Sequence, residues 1–209
     1  MSETIVYTDR KNKKFFSLLP INLRTFIMTF FMLTFFVSCA SSPTDNTYHN
    51  PSMDFGAIKT VAVMPFENLS NNKSAAGRVR DVFITMLLST GEMYVLPPGE
   101  VARGAIRAGI TTPTSPATEE IIKLAAITKV NAVITGVIRE YGEVRSGSTS
   151  ANIISLSFQM IETQSGQVVW NASSTKGGIT MKDRLLGGGG KPMNEITEIA
   201  VNDIINTLF

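Results

Sequence analysis

The spacing of apolar positions changes several times along this chain, and each spacing predicts an element. Ile58 to Met64, IKTVAVM, is rich in branched apolar residues and stops at Pro65, the pattern of a buried strand. In KSAAGRVRDVFITMLLSTG, Ala75, Ala76, Val79, Val82, Phe83, Met86 and Leu87 recur at three- and four-residue steps, which predicts an amphipathic helix with Ser74 as cap and Gly91 as stop. A short strand, Met93 to Leu96, ends at Pro97-Pro98, and helices follow at about Glu100 to Ala108 and Pro116 to Thr128, the latter with Ser115 as N-cap. Ala132 to Tyr141 reads as a strand. Ile153 to Ile161 alternates apolar residues with Ser155, Ser157 and Gln159, and Gln167 to Ala172 resumes extended structure after a turn at Gly166, which predicts a hairpin with one packed and one wetter face. Lys176 to Pro192, with its GG and GGGG, reads as a loop, and Asn194 to Leu208 as a closing helix. Helices layered on a mixed sheet give an α/β (α+β) fold of about five strands, with a C-terminal β-hairpin, and about four helices.

Upstream the pattern is different. Thr25 to Val37 holds thirteen residues without a charge, and Arg10, Lys11, Lys13, Lys14 and Arg24 all precede it. A helix of that length is about 20 Å, short of a bilayer core of about 30 Å, so a basic lead, a short apolar core and small residues predict a secretory signal. Cys39, the only cysteine, stands where the apolar run gives way to small residues. The stretch FVSCASS resembles the lipobox of bacterial lipoproteins, with Phe36 where those proteins usually carry leucine. That resemblance implies a diacylglyceryl group on the Cys39 sulfur, cleavage before it, and N-acylation of the new amino end. The expected organisation is a signal peptide at 1–38, a lipidated cysteine and flexible tether at 39–55, and one domain at 56–209. His49, the only histidine, falls in that tether and reads as a solvated residue.

Charge changes meaning once the leader is set aside. The chain has 19 basic and 17 acidic residues; the leader carries five and two of them, leaving 14 against 15. No basic surface is left to suggest nucleic acid or an anionic lipid surface.

Candidate chemistry is sparse. One histidine and one cysteine exclude the usual Ser/His and Cys/His nucleophile arrangements and give no metal cluster, so no cofactor beyond the lipid is expected. GGGGK, Gly187 to Lys191, lacks the rest of a phosphate loop, and Pro192 follows it. Glu67 is the best single carboxylate, and Glu140 and Glu143 flank Tyr141; nothing in the sequence pairs two carboxylates for glycoside hydrolysis. Binding is the remaining reading. Pro65, Phe66, Glu67, Asn68, Ser70 and Asn71 put polar side chains between a buried strand and a helix, where α/β sheets often meet ligands. The competing reading is a helix-entry loop whose Asn and Ser residues satisfy backbone groups.

Two stretches, VAVMPFENLSNN and MIETQSGQVVWNASS, are similar to segments of a superfamily of bacterial envelope lipoproteins that includes CsgG, LpoB and the amino-terminal domain of TolB. MYVLPPGEVARGAIRAGI and VNAVITGVIREYG look like its small lipoproteins, including a neisserial surface-antigen type. The resemblance covers roughly residues 56 to 208 and implies a non-enzymatic role in envelope assembly or secretion, through contacts with other envelope proteins and self-association. It also implies a lipid-anchored place on the outer membrane facing the periplasm, since Ala40 is not the aspartate that retains some lipoproteins at the inner membrane. The alternatives are an activator of peptidoglycan synthesis, a CsgG-like pore subunit and, least favoured, a wall-degrading hydrolase. A tether of fifteen residues is short for an activator that crosses the wall. Neither Gly142 to Ala151 nor Ser174 to Met193 alternates as membrane strands do.

Overall fold

The computed structural model describes residues 46–179, 181 and 190–209. The signal segment 1–38, Cys39 and the first part of the tether lie outside the described residues, as do residues 180 and 182–189 of the glycine-rich loop.

Seven strands form one mixed sheet: β1 (Thr47–His49), β2 (Thr60–Val63), β3 (Glu67–Asn68), β4 (Tyr94–Val95), β5 (Ala132–Ser146), β6 (Thr149–Glu162) and β7 (Val168–Gly177). Their order is β1-β7-β6-β5-β2-β4, with β3 also on β5. β2 is parallel to β4 and β5, while β5, β6, β7 and β1 run antiparallel in turn. Four helices are described: α1 (Ala75–Thr90), α2 (Pro98–Ala108), α3 (Thr118–Thr128) and α4 (Met193–Ile205). The α/β class is therefore as expected, with two strands more than the sequence pattern predicts.

The two additional strands are short and polar, which is why periodicity misses them. β1 lies inside the stretch expected to be tether; it pairs Thr47 with Ala172 and His49 with Trp170, and the His49 ring packs edge-on against Phe55 at 5.4 Å. His49 is nonetheless solvent-exposed. β3 is a continuation of β2 beyond Pro65: the Met64 N–H donates to Ile134 O and the Leu69 N–H to Ile138 O, so both segments lie along β5. With Met64 N–H aimed at β5, strand alternation turns the Pro65 nitrogen to the other side, beyond the end of short β4, where a missing donor breaks no ladder bond.

β5 and β6 are longer than expected. β5 runs to Ser146 and turns through Gly147-Ser148, with Gly147 at φ 62°, directly into β6. The polar stretch Gly142 to Asn152, which shows no clear strand period, is thus the outer part of this hairpin. Expected helix ends shift slightly. α3 starts at Thr118 instead of Pro116, because Ser115 closes a turn onto Thr112 O and the Glu120 carboxylate accepts the Ala117 N–H at 2.8 Å. Gly91 and Gly109 end α1 and α2 in the left-handed region at φ 71° and 77°.

The sheet is buried on both faces, but unevenly. α1 and α4 cover one face over a large cluster that includes Phe66, Phe83, Ile154, Phe158 and Trp170. α2 and α3 cover only the other face's lower end, over Ala62, Met64, Val133 and Ile161. Among the described residues, no helix covers the upper part of that second face.

Candidate functional site

A cleft of about 670 Å³ lies between the β3–α1 loop, Leu69 to Lys73, and the outer half of β5, Arg139 to Val144. It brings together residues singled out separately in the sequence: Ser70 and Asn71 from one segment, Glu140, Tyr141 and Glu143 from the other.

The loop side is rigid because its polar atoms satisfy one another. Asn68 Oδ1 accepts from the Ser70 N–H at 3.1 Å and hydroxyl at 2.7 Å, and Asn68 Nδ2 donates to Asn72 O at 2.8 Å. Asn72 Oδ1 in turn accepts from the Ser74 N–H and hydroxyl. Ser74 therefore braces the loop and makes no side-chain cap bond to α1. Asn68, Ser70 and Asn72 do what the helix-entry reading expects, and Asn71 is left to face the cleft. Arg80, on α1, reinforces the base of the loop by donating to Met64 O at 3.0 Å and to Val63 O. Burial lowers its pKa while Asp81 raises it, and a guanidinium starts high enough to keep its charge.

Not every residue of the candidate loop reaches the cleft. Phe66 is 3% exposed, stacked on Phe158 at 4.7 Å and edge-on to Phe83 at 5.9 Å. Pro65 is the strand break. Glu67 points to the opposite face, into a separate groove beside Thr114, Ser115 and Pro116. Six residues that are neighbours in sequence are thus split among core, loop scaffold and two surfaces, because strand geometry sends successive side chains to opposite faces.

On the β5 side, pairing decides the chemistry. The register of β5 on β6 slips between Ile138 and Glu140, placing a bulge at Arg139. The closing pair of a two-residue hairpin is hydrogen-bonded, so Ser146–Thr149, Val144–Ala151, Gly142–Ile153 and Glu140–Ser155 exchange bonds, and Tyr141, Glu143 and Arg145 direct their N–H and C=O outward. The last bond on that side is Leu69 N–H to Ile138 O. Beyond it, among the described residues, the edge of β5 is open and runs along the cleft. Its side chains guard it: Arg145 pairs with Glu143 at 3.6 Å, both exposed.

Glu140 and Glu143 are three positions apart on a strand and project to opposite faces, so they do not oppose each other as hydrolytic carboxylates do. The Tyr141 ring is buried, its hydroxyl 3.5 Å from Thr197 Oγ1 on α4. Among the described residues no group of three or more His, Cys, Asp or Glu side chains could hold a metal ion. The open edge and the bare groove around Glu67 were not legible in the sequence. Both depend on which strands end early.

Against known proteins, a family model described as "Putative lipoprotein GNA1162-like" matches residues 54–209. The structure is similar to that of the PelC dodecamer from Paraburkholderia phytofirmans, with TM-score 0.52 and 15% identity, covering 78% of this chain and 96% of that one. It is also similar to lipoprotein GNA1162 from Neisseria meningitidis, with TM-score 0.53 and 18% identity, over 72% and 97% of the two chains. At these identities the two structures show a shared fold. The LpoB C-terminal domain from Escherichia coli superposes more loosely, with TM-score 0.45 and 12% identity, over 69% and 92%, and none of these matches bears on CsgG or TolB. Comparison with curated protein sequences finds no match.

Proposed function

The chain belongs to the GNA1162-like lipoprotein family, and on that premise we propose that it is held to a membrane surface by acyl chains on Cys39 and acts there by protein contacts, without catalysis. The open outer edge of β5 beside the 670 Å³ cleft carries the docking part of this reading. An extended segment of another envelope protein adds to such an edge through main-chain hydrogen bonds, and the cleft takes its side chains.

Anchoring follows from Cys39 and the resemblance of its surroundings to a lipobox. Each buried methylene contributes about 0.8 kcal/mol, so two or three acyl chains hold firmly where one holds marginally. Placement on the outer membrane, facing the periplasm, rests on Ala40. Because β1 begins at Thr47, only Ala40 to Asn46 separate the lipidated residue from the sheet. Seven residues reach at most about 25 Å, which keeps the body beside its own membrane and disfavours an activator that must cross the wall.

Self-association is the second contact class, supported by the shared fold with a PelC that forms dodecamers. A pore is disfavoured. Past Tyr141 the β5 arm adds only Gly142 to Ser146, whereas a membrane strand needs about 9 to 11 residues.

The test uses the full-length chain in cells, with a photo-cross-linking residue at Leu69. The expected result is an adduct with another envelope protein that disappears in Glu143→Pro, which removes an outward N–H while leaving the bonds to β6 in place. Adducts unchanged by Glu143→Pro, or a ring of this chain alone that conducts ions, would count against docking at this edge. Cys39→Ala is expected to move the protein into the soluble fraction; undiminished membrane retention would contradict the anchor.

A further inference from the structure

We propose that the groove on the uncovered part of the sheet, on the face that carries α2 and α3, binds an uncharged saccharide chain. Its volume is about 150 Å³. At about 30 Å³ per water that is room for roughly five waters, the scale of one sugar ring. The α2–α3 loop forms one wall and Glu67 stands at the rim.

The floor is a row of uncharged polar side chains held by neighbouring strands. Thr135 pairs with Gln159, Gln159 with Asn171, and Asn171 with Tyr48, so these four residues cross β5, β6, β7 and β1 in register. Ser157 lies one step along, beside Val137, the strand partner of Glu67. Adjacent strands are about 4.8 Å apart, so the row spans roughly 14 Å, enough for a short oligosaccharide lying across the strands.

Two observations set this surface apart from an ordinary wet sheet face. Thr135 is only 7% exposed, yet it lines the groove and its hydroxyl bonds no other described residue. The amides of Gln159 and Asn171 are likewise uncommitted among the described residues, although both are partly buried. A rigid array of donors and acceptors with no partners among the described residues is preorganised for a ligand that supplies many hydroxyls.

The chemistry narrows the ligand. Protein interfaces centre on apolar and aromatic anchors, whereas the middle of this row is Gln159 and Asn171 and its one aromatic residue, Tyr48, stands at the end. Nucleic acids and anionic polymers need basic residues, and among the described residues the one charged side chain lining the groove is the Glu67 carboxylate. A carboxylate beside amides and hydroxyls accepts hydrogen bonds from a sugar, and Tyr48, 49% exposed at the end of the row, offers an aromatic face to a sugar ring.

The groove and the open β5 edge are separate surfaces, so this proposal and the docking reading fail independently. The experiment titrates the full-length lipidated protein, purified in a detergent without a sugar headgroup, with chitohexaose and with cellohexaose, followed by calorimetry. Saturable binding of at least one is expected, weakened tenfold or more in Gln159→Ala and in Asn171→Ala and unchanged in Glu143→Pro, with all variants keeping the unfolding midpoint of the parent. Absence of binding to both oligosaccharides, or binding that the two alanine variants leave intact, would overturn the proposal.

Discussion

Gly136 shows how much a single position can decide. A Cβ there would lie 2.3 Å from Phe158 Cδ1 and 2.9 Å from Phe66 Cδ1, closer than carbon atoms approach. The missing side chain lets Phe66 leave a polar loop and stack in the core. Gly136→Ala is expected to destabilise by about 1 to 3 kcal/mol through overpacking, read as a lower urea midpoint in the fluorescence of Trp170, the only tryptophan. In the sequence Phe66 reads as part of a binding loop, since an apolar residue among Asn and Ser gives no sign of the hole that receives it. Glu162 makes a pH-dependent contribution. Burial alone would raise its carboxyl, but N–H donors from Gln164, Ser165 and Thr163 and the Ser165 hydroxyl outweigh burial and bring it below the ordinary value. A carboxyl that titrates lower folded than unfolded stabilises fully above the unfolded value near 4.3 and ceases to do so as pH falls through the folded value. Glu162→Gln should therefore lower the melting temperature at pH 7 by a small amount, the group being only partly buried, and the difference should shrink as pH falls through the folded value.

Among the elements, β1 carries the largest consequence for so few residues. It covers β7 with bonds that include Asn50 N–H to Val169 O and Ser173 N–H to Asn46 O, and it shields an edge that would otherwise lie open. Tyr48 faces Asn171 in this ladder, so Tyr48→Pro removes a donor and should cost about 1 to 3 kcal/mol. Faster amide exchange at Asn171 and Ser173, with the β5–β6 hairpin unaffected, is the expected signature. The long helices and the alternating strands were readable because their apolar period is set locally. β1 and β3 were not, since two- and three-residue strands have no period and exist only because a neighbour offers a free edge.

At the scale of the whole molecule, one sheet serves both helix layers, with α1 and α4 over one cluster and α2 and α3 over the other. Neither layer has a second sheet to hold it when the strands separate, so unfolding should be a single transition. Trp170 fluorescence, which reports the α1/α4 side, should coincide with far-UV circular dichroism, which reports the helices of both layers. An earlier loss of ellipticity would show that α2 and α3 melt on their own. The amino-acid pattern alone determined the α/β class, the positions of the helices and longer strands, and the shortage of catalytic side chains, because periodicity and composition act over a few neighbouring residues. Tertiary structure alone decided that β5 outruns β3 and, among the described residues, leaves an edge open, that the six-residue loop divides among core, scaffold and two surfaces, and that helices cover more of one sheet face than of the other. Those outcomes depend on where distant strands end relative to one another, a relation that no local spacing encodes.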